Sequence, residues 1–296
     1  MIAQIKKIFQ TNVELLGIVD KAVLYFREQE YQAALEYMPE VSAKMRHVID
    51  GIIGDKEYFE LVSTDSLMEM LEGIVEASRC EDYVLLADLL ELQLSTLLCN
   101  VQELIMKKED YAFFSEKMYQ EQSAAMVEKL EVFEPIEPKK LFESALDPEE
   151  LMDQGYRVEV TSCGLMTVAV RTDRGSIYLH SNHKPETEAF LLARCFAKQN
   201  ADTYVVKGFG MGYHVVELAK LKPEAKIEVY ESDGQILKLA CAFSPLKKLL
   251  ANGQISICYD ADGARWKNRV ENLAETDVVC LHMPSVQAGS ALFALR

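Results

Sequence analysis

The stretch that decides the fold is Thr203-Tyr204-Val205-Val206-Lys207-Gly208-Phe209-Gly210-Met211-Gly212-Tyr213-His214. A β-prone run enters three alternating glycines, and a helix-prone segment, Tyr213–Leu221, follows without a gap. Glycine at such a corner lets the backbone turn tightly and come close to another group. The first amides of the helix beyond it have no intrahelical acceptor and point back at the corner. Further on, Ile227-Glu228-Val229-Tyr230 ends in Glu231, an acid placed to accept both hydroxyls of a ribose at the tip of a second strand.

Working outward, strands are expected at 203–207, 226–231, 254–259 and 277–281. They alternate with helices at 213–221, 234–239, 245–250 and 263–274. Continuous apolar strands alternating with helices predict a buried parallel sheet, so residues 185–296 read as a Rossmann-like, nucleotide- or nucleoside-binding α/β domain. Upstream the period is two: Tyr156–Val160, Thr167–Arg171 and Ser176–His180, the last two joined by the turn residues Asp173 to Gly175. These predict a small antiparallel β subdomain over 156–184, before a helix at 185–199. Residues 1–132 are helical throughout by spacing, as in Ile5, Ile8, Phe9, Val13 and Leu16, with breaks near Gln29–Tyr31, Gly51–Asp55 and Ser78–Asp82. This all-α part is a bundle or arm of four to six helices, one of them a Leu-rich amphipathic helix over 83–106. The proline-charged stretch Glu134-Pro135-Ile136-Glu137-Pro138-Lys139-Lys140 marks a linker within 133–155.

The spacing of the glycines separates ligand classes. A dinucleotide fingerprint needs GxGxxG, and position 213 is Tyr. The remaining GxGxG resembles the first motif of methyltransferases that bind S-adenosylmethionine. Candidate contacts to such a nucleoside or nucleotide are Gly208, Phe209, Gly210, Met211, Gly212, Tyr213, Glu231 and Ser232. Asp260 and Ala261, after the third strand, stand where those enzymes often keep an acid near the adenine amine. The competing reading is a loop with no ligand, since glycines also permit close helix–strand packing.

Histidines gather near the same region. His180, Asn182 and His183 end a strand and form a candidate polar rim, with His214 in the first turn after the glycines. Against this, Ser181 or Asn182 can simply cap the helix that begins near Pro185. No partner at ligand spacing is visible for these histidines, so no metal is expected. Trp266 either stacks on a base or packs a helix face. No GxSxG elbow, HExxH pair or P-loop is present.

Charge is asymmetric. Residues 1–150 hold 14 Lys and Arg against 31 Asp and Glu, a net −17, whereas residues 151–296 hold 17 against 16, a net +1. The acidic first part repels phosphate backbones, which excludes nucleic acid as a partner there and leaves a solvated face or a protein-docking surface. Seven cysteines with no two close together fit neither a CxxC knuckle nor a disulfide framework. Cys163, Cys258 and Cys280 sit in apolar strand-like runs, where free thiols pack as small hydrophobes. No continuous apolar run reaches membrane-spanning length and the N-terminus lacks a signal pattern, so a cytoplasmic location without membrane insertion is expected.

Two signatures carry a family resemblance. Ile177-Tyr178-Leu179-His180-Ser181-Asn182-His183-Lys184-Pro185, with Glu186 and Glu188-Ala189, is one; Val206-Lys207-Gly208-Phe209-Gly210-Met211-Gly212-Tyr213-His214, followed by Glu228-Val229-Tyr230-Glu231, is the other. Together they resemble the N-terminal Rossmann-like domain of the motility accessory factor family, bacterial glycosyltransferase-type proteins. The resemblance implies a role in glycosylating flagellin or another surface protein with a nonulosonic acid carried on a cytidine nucleotide. The family's catalytic portion is expected beyond this domain, so the fold and the loop positions carry over and no catalytic residue does. Two alternatives stand beside it: a methyltransferase-like protein dependent on S-adenosylmethionine, and a helical interaction protein with an empty Rossmann-like domain.

Overall fold

A computed structural model describes residues 2–109, 148–173, 175–243 and 253–294. The chain divides into two compact units: Met1–Phe113 with Ser162–Leu165, and Phe114–Thr161 with Met166–Arg296. The expected linker at 134–140 and the expected helix at 245–250 lie outside the described residues.

In the first unit, α1 (Ile2–Arg27), α2 (Tyr31–Gly54), α3 (Thr64–Arg79) and α4 (Tyr83–Lys108) follow the predicted breaks. Ser63 Oγ accepts from the Ser66 amide and Asp82 Oδ1 from the Leu85 amide, which starts α3 and α4 at capped ends. α4 widens to a π-helix over Leu89–Leu94. Among the described residues α4 is the one helix long and apolar enough to cross a membrane, and 44% of its most apolar stretch is buried. Its inward residues Leu86, Leu90, Leu94, Leu98, Val101 and Ile105 join Leu15, Val19 and Phe26 of α1 in one core, which accounts for that apolarity.

The second unit begins with α5 (Pro148–Asp153) and an antiparallel sheet of β1 (Tyr156–Val160), β2 (Met166–Thr172) and β3 (Gly175–Tyr178) in the order β1-β2-β3. Thr172 pairs with Gly175, so the hairpin turn falls where its residue types predicted. After α6 (Pro185–Phe196) come β4 (Thr203–Lys207), α7 (Tyr213–Leu221), β5 (Lys226–Glu231), α8 (Gly234–Phe243), β6 (Ile255–Tyr259), α9 (Ala264–Glu271), β7 (Asp277–Leu281) and α10 (Met283–Ala294). The four strands β4 to β7 pair in parallel in the order β6-β5-β4-β7. Val206 aligns with Val229 and Cys280, and Val229 with Ile257, a line of buried apolar side chains across the sheet. The fold is therefore α/β, with the small antiparallel sheet beside the parallel one in sequence.

α10 is the element the sequence reading lacks. Pro284 falls in its first turn, where a missing amide hydrogen costs nothing, and Gly289 weakens the helical pattern without breaking it. The strand order reverses at β4, with chain-later β7 on one side and β5 on the other. A parallel sheet opens a crevice for ligands beyond the carboxyl ends of its strands at such a reversal.

Candidate functional site

The glycine corner folds as its residue types require, but its close neighbours are the protein's own side chains. Gly208 has φ +92° and Gly210 φ +53°, both in the left-handed region that favours glycine. A Cβ on Gly208 would sit 2.5 Å from Ser285 Cβ; one on Gly210 would sit 2.8 Å from His180 Nε2 and 3.1 Å from His282 Cε1. Phe209 and Met211 are fully buried. Glu231, 3% exposed, turns inward: Oε2 accepts from the Phe209 amide at 2.7 Å and Oε1 from the Asp233 amide at 2.9 Å. Burial, reinforced by the Asp233 carboxylate, pushes its pKa up to about 7 against the opposing pull of these amides and that of Gly210. A carboxylate has roughly four acceptor positions, and backbone amides already take most of those on Glu231. Glu231 thus clamps the glycine loop, with at most one acceptor position left for a sugar hydroxyl.

Beside this clamp a cleft of about 180 Å³ opens at the carboxyl ends of β4, β5 and β6. Lys207, Gly208, Glu231, Ser232, Asp260 and Trp266 are among its walls, with Ser285 and Val286 of α10 closing it. Asp260, 4% exposed, is also committed to the backbone: Oδ1 accepts from the Arg265 amide at 3.2 Å and Oδ2 from the Trp266 amide at 2.9 Å, which fixes the start of α9. Trp266 meets the edge of the Tyr230 ring at 5.7 Å, and Lys207 Nζ lies 5.3 Å above the indole. The indole thus packs and lines the cleft at once. Lys207 in the lining suits an anionic group, and the aromatic wall suits a flat heterocycle.

Behind Gly208 and Ser285 lies a cluster of three buried histidines. His180 follows β3, His214 sits in the first turn of α7, and His282 follows β7; their exposures are 1%, 0% and 0%. The His214 and His282 rings stack at 4.3 Å between centroids and 9° between planes, and His180 lies 4.8 Å from His282. One ring nitrogen from each comes within 4.8 Å of the others. Hydrogen bonds hold two of the rings and the backbone of the third: His214 Nε2 meets the Gly208 carbonyl at 3.2 Å, His282 Nδ1 meets Ser285 Oγ at 2.7 Å, and Thr167 Oγ1 donates to the His180 carbonyl at 2.6 Å. Four nitrogens, both of His180, Nδ1 of His214 and Nε2 of His282, find no hydrogen-bond partner within the protein. Each such buried polar atom costs roughly 1–3 kcal/mol. Burial holds the His180 and His214 pKa values well below the ordinary 6.5 and brings His282 down to about 4, the Leu179 backbone opposing the last shift. All three are neutral at pH 7 and carry available lone pairs.

The expected site residues thus separate into groups. Gly208, Glu231, Ser232 and Asp260 line the cleft. Phe209, Gly210, Met211, Gly212 and Tyr213 form the wall behind it, all buried, with the Tyr213 hydroxyl donating to the Met166 carbonyl at 2.7 Å. Ala261 is exposed and lies outside the lining. The rim also divides: Asn182 and His183 are exposed, while His180 and His214 turn inward. Ser181 Oγ accepts from the His183 and Lys184 amides at 3.2 Å, and Glu188 reaches back to the Ser181 amide at 2.6 Å, so this loop serves the start of α6. His180 and His214 share their buried cluster with His282. His282 was not singled out by the sequence; a histidine directly after β7 is the signal that identifies it once β7 is placed beside β4. Burial pushes the Cys258 and Cys280 thiols up to about 12.

Comparison with known proteins adds little to this geometry. No family model matches the chain, and no curated protein does. Among solved structures, MnmC2 from Aquifex aeolicus aligns over 61% of this chain and 60% of its own at 14% identity, with a TM-score of 0.26. The chain spans about three fifths of that protein, and an alignment this loose carries no argument about function.

Proposed function

We propose that the second unit binds a nucleoside-type small molecule in the cleft at the carboxyl ends of β4, β5 and β6, with S-adenosylmethionine or a cytidine nucleotide as the ligand classes to test first. The observation that carries this reading is the cleft's position and lining. It sits where the strand order reverses, with Gly208 as backbone floor, Ser232 at the mouth beside Glu231, Trp266 as a flat wall and Lys207 as the nearby cation. Glu231 has at most one acceptor position left and Asp260 is tied to α9, so Ser232 is the polar side chain assigned to the sugar. Within this reading, the motility accessory factor resemblance supplies a protein-glycosylation setting, and it rests on the two motifs alone. The methyltransferase-like alternative uses the same cleft.

Thermal unfolding with S-adenosylhomocysteine and with cytidine monophosphate tests the proposal. Ligand at a hundred times its dissociation constant stabilises by about 2.7 kcal/mol, a rise of roughly 5–10 °C for a unit of this size. Ser232→Phe, which puts a ring into the cleft, should abolish the rise. A native chain indifferent to both compounds, or a shift that Ser232→Phe leaves intact, refutes it.

A further inference from the structure

We infer that His180, His214 and His282 form a binding site for one divalent first-row transition metal ion, of the zinc type, behind the wall that Gly208 and Ser285 give the cleft. The inference is independent of what occupies that cleft.

At two of the three histidines the hydrogen bonding already has the form a metal site needs. A ligating histidine presents one nitrogen to the ion and gives its other N–H to an oxygen that fixes the ring. At His214 the outer partner is the Gly208 carbonyl, which can only accept, so Nε2 carries the proton and Nδ1 is left as an unprotonated lone pair with no partner. At His282 the outer partner is Ser285 Oγ on Nδ1, and Nε2 is the unpartnered nitrogen. His180 has both nitrogens unpartnered and its backbone held by Thr167, so either nitrogen can be offered by rotation of the ring.

The composition of the cluster is equally directed. Three neutral imidazoles with no carboxylate and no thiolate suit a borderline ion such as Zn2+, Co2+ or Ni2+ and not Mg2+ or Ca2+, which take oxygen ligands. Three histidines leave a fourth position for a water or a ligand atom. Metal–nitrogen bonds of about 2.1 Å put tetrahedral nitrogens about 3.4 Å apart, so the present separations of up to 4.8 Å must close by tilting the stacked rings. Gly210 leaves the room for that movement: a side chain there would lie 2.8 Å from His180 Nε2.

The test uses the full chain, stripped with chelator and titrated with Co2+ and with Zn2+. The native chain should take up one equivalent of either, Co2+ should give the intense visible absorption of a tetrahedral site, and the melting temperature should rise. His180→Leu should weaken binding at least a hundredfold, whereas His183→Ala, on the exposed rim residue, should leave it unchanged. Uptake well below one equivalent by the folded native chain overturns the inference, as does uptake that His180→Leu does not alter. Should His180→Leu fail to fold, the Co2+ spectrum of the native chain decides: the weak absorption of an octahedral aqua-type site overturns the inference.

Discussion

Gly210→Ala separates a glycine selected by the protein's own packing from one kept for a ligand. At φ +53° an alanine pays the left-handed backbone term, roughly 1–2 kcal/mol. Its Cβ would also lie 2.8 Å from His180 Nε2 and 3.1 Å from His282 Cε1. Both rings are buried, so neither can swing into solvent, and overpacking of this kind costs roughly 1–3 kcal/mol. The sum is about 2–5 kcal/mol, which lowers the melting temperature of a unit this size by roughly 4–20 °C. Gly253 is the control: its φ is +73° and a Cβ there meets nothing within 4 Å, so Gly253→Ala carries the backbone term alone. Both variants are to be unfolded thermally and in urea, followed by circular dichroism without added ligand. A second arm places Gly210→Ala in a His180→Leu background, where the cost should shrink because one of the clashing rings is gone. Equal losses for Gly210→Ala and Gly253→Ala, or full additivity with His180→Leu, would refute the packing argument.

Two further outcomes follow from the same geometry. Because burial raises the Glu231 pKa from the ordinary 4.5 to about 7, the native state binds more protons than the unfolded chain between those values, so this residue's contribution is fully present below about pH 4.5 and is lost as pH rises through 7. That loss is about 3 kcal/mol, and Glu231→Gln should remove it; urea midpoints of the two proteins from pH 4.5 to 8 that run parallel would contradict the assignment. Arg269 on α9 reaches Glu228 on β5 at 2.7 Å and Asp277 on β7 at 2.9 Å, so Arg269→Met should cost about 2 kcal/mol by leaving the largely buried Asp277 without that cation, less than for a fully buried pair. A loss under 0.5 kcal/mol in the same urea assay would show the bridge to be ornamental.

The parallel sheet was legible because buried parallel strands leave continuous apolar runs, and Tyr204-Val205-Val206 is fully buried at its centre. The hairpin was legible from turn residues whose backbone preferences are local. α10 was not: Gly289 weakens its helical pattern, and packing beside the cleft supplies what that pattern lacks. The site itself was half visible. A missing Cβ is demanded alike by a pyrophosphate, a nucleoside or a neighbouring imidazole, so the spacing of Gly208 and Gly210 cannot say which one approaches. The imidazoles come from His180, in the segment after the antiparallel sheet, and from His282, after the last strand, and no local pattern links positions that far apart. Glu231 illustrates the same limit: its place at the strand tip was readable, but the inward turn of its carboxylate toward Phe209 is a property of the folded loop.

The cleft can be tested directly by following backbone and indole amide resonances of the isotopically labelled chain while S-adenosylhomocysteine, then cytidine monophosphate, is added. Binding as described moves the amides of Lys207, Gly208 and Ser232 and the indole of Trp266 along saturating curves for at least one compound, with Asn182 and His183 still. Saturating shifts confined to residues away from that wall, or no shift with either compound, would contradict a ligand-binding cleft at the carboxyl ends of β4, β5 and β6.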